Sequence, residues 1–194
     1  MFQDKIKDLE IVYQKLENET QAFQKRSGLH CLEGCGRCCL NPNVTTTVLE
    51  MIPVALKFHQ SAQVDVFLQK IENQNAQGPC VLYESHSSDQ ARGRCGHYAN
   101  RPLICRLFGF SAVRDKRRQL TLVTCKLIKE DPGQDYEKTL KEINQDLPVP
   151  LMAEYAQQVS HIDPALTREE LPINLALKRA LEKIGLLEGY QGQK

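Results

Sequence analysis

Apolar residues Phe2, Ile6, Leu9, Tyr13, Leu16 and Phe23 recur along the first stretch of the chain at intervals of mostly three or four, with Thr20 interrupting. That spacing predicts an amphipathic helix with a narrow apolar stripe. Gly28 supplies its C-terminal stop. Thr47-Val48-Leu49-Glu50 sets a hydroxyl three residues before a carboxylate, the pattern of a capping box. It predicts a helix running to about Phe58. Val64, Phe67, Leu68 and Ile71 predict another over Gln63 to Asn73, closed by Gly78-Pro79. From Pro79 to Cys125 the helical period disappears and short apolar runs alternate with polar turns. Leu107 to Val113 and Gln119 to Thr124, joined through Asp115-Lys116-Arg117-Arg118, predict a β-hairpin with a solvated basic tip. Beyond Lys126 helical spacing returns at Tyr136, Leu140 and Ile143, then at Leu151, Tyr155 and Val159. A second capping box, Thr167 to Glu170, leads into Ile173, Leu177, Leu181 and Ile184. Pro148, Pro150, Pro164 and Pro172 punctuate these segments.

There is no internal repeat and no low-complexity linker. The expected architecture is mainly α: one domain over 1–194, in which a loop-rich, cysteine-rich core over 29–125 carries a small β-hairpin and lies between helical flanks, 1–28 and 126–194. The stripe of the first helix suits packing onto its own domain, or docking of a protein partner.

Composition narrows the function classes. Apolar residues make up 41% of the 194 positions and charged residues 25%, ordinary values for a globular chain. The formal net charge is +1, Trp is absent and aromatics reach only 6%, so no nucleic-acid partner is expected. Met1 to Asp8 lacks the apolar run of a secretion signal. No stretch approaches the roughly 18 apolar residues of a membrane span. No membrane association and a cytoplasmic location are the expectations.

That location changes the meaning of the eight cysteines. In a reducing compartment they point to metal or redox chemistry rather than to disulfides. They are also confined: Cys31, Cys35, Cys38 and Cys39 fall within nine residues, and Cys80, Cys95, Cys105 and Cys125 follow. Cys35 and Cys38 can turn both sulfurs toward one ion. Gly36 between them permits the positive backbone dihedral that such a turn often needs. The side chains of Cys38 and Cys39 diverge, which suggests two metals, an iron cluster, or one thiol left over. Eight thiolates would fill two tetrahedral sites, and bound to two zinc ions they leave an excess negative charge of about four. Arg37, Arg94, Arg106 and Lys126 sit directly beside cysteines, with Arg101 close by. All eight cysteines are therefore candidate ligands. Tyr98, Arg101 and Arg106 are candidates for donating hydrogen bonds to the thiolates and tuning the metal. His30 and His97 are near enough in sequence to replace a cysteine. Thiolate suits zinc, iron and copper(I) alike, and no run has the C-x2-C-x2-C spacing of a ferredoxin.

The run Cys35-x2-Cys38-Cys39, then Gly78-Pro79-Cys80-Val81-Leu82, then Cys95-x2-Tyr98-x2-Arg101-Pro102-x2-Cys105-Arg106-x-Phe108 resembles the YkgJ-type CxxCxxCC family. The resemblance covers Cys31 to Cys125 and implies chelation of zinc or iron. Cys31 departs from the pattern, standing three rather than two residues before Cys35. A related cysteine cluster in flagellin lysine N-methylases keeps methyl transfer open.

Three functions compete. The first is a metal-binding protein with closed thiolate sites, where structural zinc contributes on the order of 10–16 kcal/mol of apparent binding energy and would order the loop-rich segment. The second is an iron- or iron–sulfur-dependent enzyme for redox or methyl-transfer chemistry, which needs a thiol or a coordination position to spare. The third is a zinc-stabilised interaction module. No catalytic residue can be named: the chain has no glycine-rich phosphate loop, no G-x-S-x-G and no H-E-x-x-H.

Overall fold

The structure is a computed structural model that describes residues 2–74, 78–86 and 91–191; of the N-terminal segment, Met1 lies outside them. In chain order the helices are α1 (Phe2–Ser27), α2 (Val48–Gln60), α3 (Val64–Gln74), α4 (Leu103–Leu107), α5 (Lys126–Glu130), α6 (Tyr136–Ile143), α7 (Met152–Ile162) and α8 (Ile173–Gln191). The strands are β1 (Thr45–Thr46), β2 (Tyr83–Ser85), β3 (Gly93–Cys95), β4 (Ser111–Arg114), β5 (Leu120–Val123) and β6 (Leu171–Pro172). They form three antiparallel pairs, β1 with β6, β2 with β3 and β4 with β5. The described residues are thus mainly helical with small strand pairs.

Two compact units divide the chain: Met1–Ile6, Gly34–Pro102 and Asp163–Lys194 form one, and Lys7–Glu33 with Leu103–Ile162 form the other. In the first unit α2 packs along α8. Leu49, Met51, Ile52, Val54, Ala55 and Phe58 of α2 are all fully buried, as are Ala176 and Leu177 of α8. A helix apolar on most of its circumference is stable only when covered this way. The expected capping box starts α2: the Glu50 carboxylate accepts from the Thr47 N–H at 3.1 Å and from its hydroxyl at 2.7 Å.

The second expected capping box does not form. The Thr167 hydroxyl donates to the Asp163 carbonyl at 2.7 Å, and Glu170 accepts from the Thr45 hydroxyl at 2.9 Å. The segment after Glu170 is taken up as β6, with Thr45 opposite Pro172 and Thr46 opposite Leu171. Helix α8 therefore begins only at Ile173, whose N–H donates to the Val44 carbonyl at 2.9 Å. Strand pairing satisfies the backbone groups that a cap would otherwise serve.

In the second unit Leu9, Tyr13, Leu16, Thr20 and Phe23 are the buried face of α1. The helix ends where expected, with the Gly28 N–H on the Gln24 carbonyl at 2.9 Å and Gly28 at φ +73°. Phe23, Leu29, Ala112, Leu122, Ile128, Tyr136 and Ile143 form a core cluster. The β4–β5 hairpin is shorter than expected, because Leu103–Leu107 is helical and Gly109, at φ +103°, turns the chain before β4. Phe108 is 36% exposed at that turn. At the hairpin tip the Asp115 carboxylate accepts from the Arg117 and Gln119 N–H groups, both at 2.8 Å.

Candidate metal centre

Cys35, Cys38, Cys39, Cys80 and Cys95 belong to the first unit; Cys31, Cys105 and Cys125 belong to the second. All eight are thiols rather than disulfides.

The first unit assembles its cysteines through three short pieces of backbone. Gly34–Gly36 runs antiparallel to the strand before Cys95. Cys35 bridges Arg92, the Gly36 N–H donates to the Ala91 carbonyl at 2.9 Å, and the Gly93 N–H donates to the Gly34 carbonyl at 3.0 Å. Gly36 does not take a positive dihedral: its φ is −110°, and the left-handed residue is Gly34 at +69°. What reserves position 36 for glycine is the Tyr83 ring, which a Cβ would strike. The same ring lies against Gly93, and Tyr83 pairs with Cys95 across β2 and β3. Cys38 and Cys39 follow on a 3-10 turn over Arg37–Leu40. The Cys80 N–H donates to the Cys39 carbonyl at 3.0 Å, and the Cys80 carbonyl accepts from the Tyr83 N–H at 3.0 Å. The turn carrying Cys80 is thereby tied to the turn carrying Cys38 and Cys39 on one side and to the Cys95 hairpin on the other.

These ties bring the Cys38, Cys80 and Cys95 thiols within electrostatic reach of one another. Their proton affinities are pulled apart. A hydrogen bond from the Cys39 thiol, helped by backbone N–H groups and the Arg101 charge, brings Cys38 down to about 6. Burial pushes Cys80 up to about 12, with Cys95 and Cys38 adding like-charge repulsion. Burial also raises Cys95, against the His97 N–H and Arg101. Burial and like-charge repulsion thus oppose ionising Cys80 and Cys95 together with Cys38.

Arg101 brings positive charge within reach of Cys38 and Cys95. Its guanidinium lies over the exposed Tyr98 ring at 3.4 Å, and its Nε–H donates to the Tyr98 carbonyl at 3.2 Å. Arg106 sits over the Tyr13 ring at 4.3 Å and pairs with Glu17 at 3.8 Å, both on α1. Cys105 lies within α4, Cys31 is exposed, and Cys125 precedes α5 and packs on the core cluster of the second unit. His97 is edge-on to Phe58 at 4.8 Å, and burial lowers its pKa, favouring the neutral ring. The His30 N–H donates to Gln134 at 2.7 Å. His59 is partly buried, with Nε2 3.0 Å from the Leu181 carbonyl.

A family model described as a putative zinc- or iron-chelating domain, CxxCxxCC, matches residues 30–130. The chain belongs to this family. No curated protein and no solved structure matches it. The matched residues include all eight cysteines. The soft sulfur donors of the first unit suit zinc or iron by donor chemistry. Among the described residues, however, no three His, Cys, Asp or Glu side chains are grouped as a metal-holding set. No helix among them is long and apolar enough to cross a membrane.

One residue outside the cysteine motif bears directly on this site. Asn174 of α8 is 1% exposed, and its amide is spent on the segment around Cys80. A buried Asn at the start of a C-terminal helix gives no signal in the sequence that separates it from a capping residue.

Proposed function

We propose that this protein chelates one zinc or iron ion through thiolates of its first unit, with Cys38, Cys80 and Cys95 as the ligands and Cys35 or Cys39 closing the set. The observation that supports this is the pair of backbone bonds tying Cys80 to Cys39 and to Tyr83, with the Cys38, Cys80 and Cys95 thiols within electrostatic reach of one another and Arg101 within reach of Cys38 and Cys95. Family membership supports the same reading. To take an ion the thiols must draw together and lose their protons, so loading releases protons and tightens as pH rises. An ion there supplies the positive charge that three clustered thiolates lack. Arg101 offsets the excess negative charge, and Tyr83 holds the Cys35 and Cys95 backbones in register.

Elemental analysis of protein purified without oxygen tests this. The expected result is about one zinc or iron per chain, reduced to below half in Cys38→Ser, Cys80→Ser and Cys95→Ser and unchanged in Cys125→Ser. Acid-labile sulfide in proportion to iron would place a cluster on the same thiols. A wild-type chain with no metal, or Cys80→Ser and Cys95→Ser chains that keep all of it, would sink the proposal.

A further inference from the structure

Cys80 stands on a segment with no regular structure of its own, from Gly78 to Leu82, yet side-chain bonds from α8 hold this segment on both sides of the cysteine. Asn174 is the reason. Its Oδ1 accepts from the Val81 N–H at 3.0 Å, while Nδ2 donates to the Pro79 carbonyl at 2.9 Å and to the Gly78 carbonyl at 3.3 Å. All three partners flank Cys80, one after it and two before. The pattern also fixes which way the amide faces, since the flipped amide would set a donor against a donor and an acceptor against two acceptors. At 1% exposure no water replaces these bonds. A buried amide without partners is costly, so the side chain and the loop hold each other.

Asn174 lies outside residues 30–130, on a helix whose other buried residues include Ile173, Ala176, Leu177, Ala180, Leu181 and Ile184, all apolar. An apolar residue would satisfy the packing there. The polar choice makes sense only for what it grips. We infer that Asn174 is a positioning residue of the metal centre: from α8 it fixes the backbone on both sides of Cys80, so that this sulfur is presented to the ion without ordering the loop at the moment of binding. The inference rests on the metal-binding reading above. It extends the functional unit beyond the cysteine motif to the C-terminal helix, and it makes metal affinity depend on a residue that touches no ligand sulfur.

The test separates positioning from plain stability. Asn174→Ala and Leu177→Ala are compared with wild type for melting temperature and for metal affinity, by competition of the zinc-loaded protein against a chromogenic chelator. Leu177 is fully buried on the same helix, and its truncation creates a core cavity without removing a bond to the Cys80 loop. Asn174→Ala is expected to weaken zinc binding by about 10- to 100-fold, the usual cost of losing a partner that orients a ligand. Leu177→Ala is expected to lower the melting temperature at least as much while leaving affinity within about threefold of wild type. Equal affinity losses in the two variants, or unchanged affinity in Asn174→Ala, would overturn the inference and leave metal binding standing. A wild-type chain that takes no metal would overturn both. Should Asn174→Ala fail to fold, amide exchange in the wild-type protein decides. Zinc is expected to slow exchange at Val81 at least tenfold more than at Ala55 of α2, by the reciprocity of coupled equilibria; equal protection at the two amides overturns the coupling.

Discussion

Gly34, Gly36 and Gly93 are three glycines of one backbone crossing, and alanine at each should fail for a different reason. At Gly34 the backbone is left-handed, φ +69°, and nothing lies within 4 Å of a Cβ. Alanine there costs only the conformational term, roughly 1–2 kcal/mol. At Gly36 the backbone is ordinary, φ −110°, so alanine gains about 0.5 kcal/mol by restricting the unfolded chain. The Tyr83 ring opposes that gain, because a Cβ would overlap it and force it aside. Overpacking of this kind costs about 1–3 kcal/mol, so the net loss should be about 0.5–2.5 kcal/mol. At Gly93 a Cβ meets both the Tyr83 ring and the Glu84 carbonyl. That carbonyl belongs to the β2–β3 pair and cannot swing away, so alanine should cost the most.

A double-mutant cycle isolates the ring. In a Tyr83→Ala background Gly36→Ala should become neutral or slightly stabilising, Gly93→Ala should recover only partly, and Gly34→Ala should be unaffected. The assay is urea unfolding at fixed metal loading, read as a midpoint shift at constant slope. If Gly36→Ala costs the same with and without the ring, Tyr83 is not what reserves position 36 for glycine, and the account of the crossing is wrong.

Two further outcomes follow from the charges. In metal-free protein at pH 7, a short iodoacetamide pulse mapped by mass spectrometry should label Cys38, held at about 6, far ahead of Cys80, held near 12; equal labelling of the two would refute the electrostatic ordering of the site. Asp163 accepts from Lys5 and from the Leu166 and Ala165 N–H groups, which keep its folded pKa below the unfolded carboxylate value of about 3.9. Its contribution is therefore complete above that value and is lost as pH falls through the folded pKa, so Asp163→Asn should flatten the acid limb of a stability-versus-pH curve. A variant as acid-sensitive as wild type would show that the loss comes from other groups.

The helices were legible where an apolar period coincided with a local stop or start signal. Gly28 ends α1 and Thr47 with Glu50 opens α2 because each signal acts through backbone groups within one turn of itself. Thr167 and Glu170 carry the same letters and form no cap, because their partners, Asp163 and Thr45, come from packing that no local rule contains. Helix α4 and the β2–β3 pair were missed for a related reason. Five and three residues are too few to display a period. Their existence depends on Pro102 at one helix entrance and on the crossing with Gly34–Gly36.

The candidate site divides along the same line. The residue types and their crowding were visible: thiols beside cations, in a stretch too irregular to be held by helix or sheet alone. Which thiols share a unit was not visible, because that is decided by single backbone bonds such as Cys80 to Cys39 that link positions far apart in sequence. Gly36 shows how a correct residue can be read for the wrong cause: both a left-handed turn and a ring pressed on the backbone demand glycine, and only the structure separates them. Asn174 lies at the far end of this difficulty. Its three bonds are ordinary amide chemistry, but they run from α8 back to a loop inside the cysteine motif, more than 90 residues earlier in the chain. A cysteine pattern names the atoms that can bind an ion. On the inference drawn above, what holds those atoms in place includes a residue that the pattern does not contain, Asn174 of α8.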